Sequence, residues 1–185
     1  MADAVSICNS ALIKLGAPSI TSLAEDSHAA KLCNEQYEKV RQDLIYSHPW
    51  NFAMKRATWT ENGNTPAWGF EFEFTLPADF IRIIELDYAD IEYQLEGGVL
   101  VSNESTINVL YLYDETDADK YSKGFLELFS LKLAAELSHA LVQSATLKQT
   151  LMAEYSEKLR DVRSFDAQEG TPRNLIDDTY LNSRI

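Results

Sequence analysis

Positive charge is what this sequence has least of where it matters most. Its 185 residues carry 16 Lys and Arg against 29 Asp and Glu, a net charge of −13. The deficit sits in the middle: residues 53–122 hold four basic against fourteen acidic groups, while both flanks are close to balance. Nucleic acid is bound by cations that neutralise phosphates, so sequence-specific binding of DNA or RNA is not expected. The plain reading of the acidic stretch is solvated loops that keep the chain soluble, although an acidic wall also lets DNA pass without sticking.

Other shortages narrow the field further. Two cysteines, Cys8 and Cys33, make no disulfide framework, and no C-x-x-C pair offers a zinc site. Each falls at an apolar position of a helical pattern, the place of a buried free thiol in a reducing cytoplasm. No apolar run reaches the ~18 residues that a membrane span needs, so no membrane partner is expected. The start carries Asp3 and no basic stretch, unlike a secretory leader. Seven glycines are scattered, with Gly97-Gly98 the one close set, so there is no phosphate-cradling loop and no G-x-S-x-G. His28, His48 and His139 share no i, i+4 spacing, and a lone histidine among helices reads as a hydrogen-bonded core residue. Glu71 and Glu73 lie on the polar side of one strand, and spacing alone cannot set two carboxylates across a cleft. Neither catalysis, a cofactor nor a metal is expected.

What is present is mostly helical periodicity. Ala4, Val5, Cys8, Ala11, Leu12 and Leu15 share one face of a first helix that stops at Gly16 with Pro18 beyond. Ser27 can cap a second helix in which Ala30, Cys33, Tyr37, Val40 and Leu44 face inward and Lys31, Glu35, Glu38, Arg41 and Gln42 outward. Pro49 ends it. Leu126, Phe129, Leu133, Leu137 and Leu141, widened by Leu128, Leu131 and Ala135, predict a third helix buried on most sides. Leu147, Leu151, Tyr155, Leu159 and Val162 predict a fourth, with periodicity lost from Ser164. Between the helical halves, Phe70, Phe72, Phe74 and Leu76 alternate with polar residues. "FIRIIELDY", "YQLEGGVLVS" and "TINVLYLYDE" follow, and about four antiparallel strands are expected. The expected fold is α+β and mainly α: a four-helix bundle (1–54 and 120–164), a small antiparallel sheet inserted over 55–119, and an extended C-terminal arm over 165–185.

The stretch "HPWNFAMKRA" lies where bundle gives way to sheet. Pro49 stops the helix, and Trp50 and Phe52 bring large apolar area to the turn. The expected role of Pro49, Trp50 and Phe52 is that of a joint between the two parts. Lys55 and Arg56 then open the acidic section, placed to pair with acids of the same or a neighbouring subunit.

The N-terminal quarter, from "ICNSALIKLGAPSITSLAEDSHAAKLC" through Trp50-Asn51-Phe52, resembles the head–tail adaptor proteins of tailed bacteriophages, the group of tail tubular protein A. The likeness lies in a short helix ending Leu15-Gly16, a proline-containing connector to "ITSL", a longer helix from Ala29-Ala30 and the aromatic joint. The order helix–helix–sheet–helix–helix fits over most of the chain. The resemblance implies a structural virion protein of the neck, assembled in the host bacterial cytoplasm. It would form a homo-oligomeric ring, typically dodecameric, below the portal protein. The ring would dock the tail tubular or nozzle protein and pass double-stranded DNA without specific binding. It also implies a portal-contacting arm, here Phe165, Leu175, Ile176, Tyr180, Leu181, Arg184 and Ile185, with the sheet serving neighbour and tail contacts. A head-completion protein of a long-tailed phage and an uncharacterised bundle enzyme are the alternative readings.

Overall fold

A computed structural model describes residues 3–87 and 91–170. Helix α1 (Ala4–Lys14) starts on a capping box, in which the Ser6 amide donates to Asp3 Oδ1 (2.7 Å) and the Asp3 amide to Ser6 Oγ (3.0 Å). It ends as expected, with Gly16 at φ +66°, a conformation that costs glycine nothing. The connector is tied back by Asn9, whose side chain exchanges two hydrogen bonds with the backbone of Ile20 (2.9 and 2.8 Å). Helix α2 (His28–Tyr46) begins on Ser27, which accepts from the Ala30 amide (3.2 Å). Helices α3 (Lys123–Val142) and α4 (Ala145–Gln168) begin in the same way on Ser122 and Ser144.

Six strands lie between the helical pairs: β1 (Met54–Thr60), β2 (Phe72–Thr75), β3 (Phe80–Leu86), β4 (Tyr93–Glu96), β5 (Val99–Ser102) and β6 (Thr106–Tyr113). They form two antiparallel sheets, β1-β6-β3 and β2-β5-β4. Trp59, Phe74, Leu100, Ile107, Val109 and Tyr111 fill a core of their own between them. The larger core belongs to the helices, with Cys8, Leu12, Cys33, Leu44, Trp50, Phe125, Phe129 and Leu133 at its centre.

Strand β3 serves both cores. Ile81 and Ile84 pack on the helical core, and Phe80, Ile83 and Leu86 on the sheet core. A spacing of three is impossible in a regular strand, whose faces alternate. Two register shifts against β6, at Phe80/Arg82 and at Ile83/Glu85, supply the irregularity. That is why "FIRIIEL" reads as a nearly unbroken apolar run.

A four-helix bundle carrying a small inserted sheet is not what the chain forms. The fold is mixed α+β, with α1, α2 and α4 each packed on a central α3 and two three-stranded sheets beside them. Phe-rich strands need an apolar layer to face, and a second sheet provides it. Strand β1 has no strand signature in the sequence, since Met54 and Trp59 stand near its two ends with Lys55, Arg56 and Thr58 between them. Helix α4 also runs past Ser164 to Gln168, so Phe165 lies on a helix, 66% exposed. The rest of the expected arm, Leu175, Ile176, Tyr180, Leu181, Arg184 and Ile185, lies outside the described residues.

Candidate functional site

The joint residues come together as a packed aromatic cluster. Trp50 is fully buried, and its indole Nε1–H donates to the Leu44 carbonyl (2.8 Å). Its ring meets Phe125 edge-on at 5.2 Å and stacks on Phe52 at 6.3 Å, while Phe52 packs on Tyr121 and Phe125. Pro49 is half-buried at the entry to the turn Asn51–Ala53. The position before a proline is pushed out of helical backbone, and α2 stops at Tyr46 with Ser47 as its cap.

Two polar clamps fix this joint, and neither shows in the sequence pattern. The first is Asp166 of α4, 7% exposed. Its carboxylate accepts from the Asn51 amide (3.2 Å) and from His48 Nε2–H (3.1 Å), and its carbonyl from the Asn51 side chain (2.5 Å). Burial pushes the His48 imidazole below its ordinary 6.5. The Asp166 contact opposes that, and the nearby charges of Arg163 and Arg82 add to it. The second is Arg41, expected on the outer face of α2 but only 2% exposed. Its guanidinium forks onto Asp114 (2.6 and 3.1 Å), reaches the Glu115 carbonyl (2.8 Å) and donates from Nε to Glu38 (2.8 Å). Burial works against the charge, and these hydrogen bonds more than offset it, so the guanidinium stays ionised. Beside it, the Glu115 carboxylate collects Tyr113 Oη–H (2.5 Å), the Asp117 amide (2.9 Å) and Lys120 (2.6 Å). Burial alone would raise its pKa, but these donors hold it below the ordinary 4.5.

The remaining candidates disperse. His28 and His139 are exposed, not in the core, which leaves His48 as the hydrogen-bonded histidine. Cys8 and Cys33 are buried free thiols whose side chains meet, and the Cys33 contact with burial pushes the Cys8 thiol well up. Lys55 pairs with Asp79 of the same chain (3.2 Å). Glu73 accepts from Asn62 and Asn64 (2.9 and 3.1 Å). No cluster of three or more metal-ligating side chains occurs among the described residues. A groove of about 570 Å³ separates α2 from the start of β3, lined by Lys39, Asp43, Tyr46, Phe80, Ile81 and Asp114. Both of its acids are already committed, Asp43 to Lys132 and Asp114 to Arg41.

The sheet end of the molecule is different. Every residue of β4 is exposed, including Tyr93 (41%) and Leu95 (43%), and Trp68, in the loop between β1 and β2, is 87% exposed. In the sequence its one signal is a tryptophan beside Gly69 in a Pro-containing loop. Trp68, Gln94 and Glu96 line a common groove of about 360 Å³. No helix among the described residues is long and apolar enough to cross a membrane. No protein-family model matches the chain, and neither does any curated protein.

Proposed function

We propose that this chain is a structural subunit of a tailed-phage neck, a head-to-tail adaptor that assembles as a ring under the portal. The ring would extend the DNA channel and receive the tail. The observation that carries the reading is the N-terminal pair of helices running into the Trp50–Phe52 joint, the stretch that resembles the adaptors. Beyond the joint the chain presents an acidic, partly apolar sheet end to its surroundings. That suits a subunit whose outer surfaces are completed by neighbours. In this reading residues 165–185, with Phe165, Leu175, Ile176, Tyr180, Leu181, Arg184 and Ile185, make the portal contact.

Mixing the purified chain with portal and counting masses by mass photometry, with negative-stain images, tests it directly. A ring of regular size on portal is the expected outcome. Absence of any portal-bound species overturns the reading. A chain ended at Gly170 keeps all four helices and is expected to lose portal binding. Normal binding by that shortened chain would remove the arm from the proposal.

A further inference from the structure

The second sheet has a one-sided charge. From Ala57 to Asp119 the single basic residue is Arg82, and it lies on β3 of the other sheet. Strands β2, β4 and β5 contain no cation at all. Along β4 polar and apolar residues alternate: Gln94 and Glu96 fall on one face, Tyr93 and Leu95 on the other, with Glu92 just ahead of the strand. Trp68 shares the groove on the Gln94 and Glu96 side.

Among the described residues no strand pairs with the outer edge of β4. Its pairing in the sheet is with β5 alone. The two-residue turn Gly97-Gly98, both at positive φ, makes Glu96 and Val99 the closing hydrogen-bonded pair. Hydrogen-bonded and non-hydrogen-bonded pairs then alternate, so Tyr93 and Leu95 turn their amide and carbonyl groups away from β5. These are the groups an added strand would use.

The charge pattern separates the possible occupants. Phosphate backbones and anionic lipid are repelled by strands that carry acids and no cation. A second copy pairing through β4 would set carboxylates against carboxylates, which is unfavourable across a strand pair. A basic segment meets none of these obstacles. We infer that β4 is the docking edge for an extended, basic segment of another protein. Lysine or arginine side chains face Glu92, Glu96 and the Trp68 ring, and the alternate aliphatic ones meet Tyr93 and Leu95. A cation over the exposed indole adds to the attraction. The inference stands on the geometry of this sheet; joined to the adaptor proposal it describes a contact on the tail side. The portal assay can fail while this surface still binds, and the reverse, so the two are tested separately.

The probe is a short synthetic peptide of alternating lysine and valine, titrated into the full chain and followed by tryptophan fluorescence. Trp50 and Trp59 are buried, so Trp68 dominates the response to a surface ligand. Saturable binding is expected, weakening about tenfold as salt rises from low to well above physiological strength. A glutamate–valine peptide is expected not to bind. Trp68→Ala removes the fluorescent reporter, so its binding is read by isothermal titration calorimetry beside the parent chain, and it should weaken the affinity about tenfold. Leu95→Pro should abolish binding, while Leu95→Ala retains part of it. The Leu95 amide faces away from β5, so proline leaves the hairpin ladder intact, and circular dichroism checks that both variants fold. No saturable binding of the basic peptide, equal binding of the acidic one, or unchanged binding by Leu95→Pro overturns the proposal. Self-association lost in Trp68→Ala would also overturn it, by assigning the edge to a second copy.

Discussion

Replacing Trp50 by alanine empties a fully buried site shared by Phe52, Phe125 and Leu44, and leaves the Leu44 carbonyl without its indole donor. Large-to-small changes of this kind cost ~3–5 kcal/mol. Urea unfolding of Trp50→Ala should show that loss, and a stability equal to the parent would mean that Trp50 is not the joint. The same joint gives stability a pH dependence. The folded His48 has a pKa below 6.5, so the unfolded chain binds its proton more readily. Its contribution is complete above about pH 6.5 and shrinks as pH falls below that value. Unfolding free energies measured at pH 7.5 and at pH 5.5 should therefore differ, with the acidic value lower. His48→Asn should reduce the difference. Glu115, held below 4.5, adds its own loss only at more acid pH.

Elements were legible in proportion to how regularly they bury their side chains. The serine-capped helices and the Gly97-Gly98 hairpin could be read because a single face, or a single turn, dictates each pattern. Strand β1 could not, since its two large apolar residues, Met54 and Trp59, go to different cores and two charges lie between them. Strand β3 was readable as a strand but not as a shared wall, because its bulges break the alternation on which the reading depends. Arg41 reads as an outward residue because nothing local reveals Asp114, 73 residues away. Asp166 was hidden for the same reason, its partners lying 115 and 118 residues back. One packing detail makes a test at this scale. A Cβ added at Gly124 would stand 2.7 Å from Val162 Cγ1 and 2.9 Å from Cγ2, so α3 and α4 meet there without room for a methyl group. Gly124→Ala is expected to destabilise by about 1–3 kcal/mol through overpacking. Adding Val162→Ala should recover part of the loss, a coupling that a double-mutant cycle by thermal denaturation reads out. If the two changes simply add, the helices do not meet at that pair.

At the scale of the whole molecule, the two cores share the sheet β1-β6-β3 and one joint. Leu112 of β6 lies in the helical core, while Val109 and Tyr111 of the same strand lie in the sheet core. The clamps at Arg41 and Asp166 then bind the helices to the chain entering and leaving the sheets. All of these contacts precede Gly170. The shortened chain that ends there should therefore match the full chain in helical circular dichroism and in thermal midpoint. A marked fall in either would mean that residues 171–185 contribute to the fold itself. The class of the fold, α+β, could be seen from alternating and helical periods, whereas the two-sheet arrangement required knowing which strands face each other.

Asp166 stands four residues before the end of the described chain and grips the backbone of Asn51 with its carboxylate and the side chain of Asn51 with its carbonyl. A pull on the chain at Gly170 is thus not absorbed by α4 alone. It is delivered across the molecule to the bend after α2, from which β1 departs only three residues later. The last turn of α4 works as a tether, so a load on residue 170 is shared between that helix and the joint between helices and sheets.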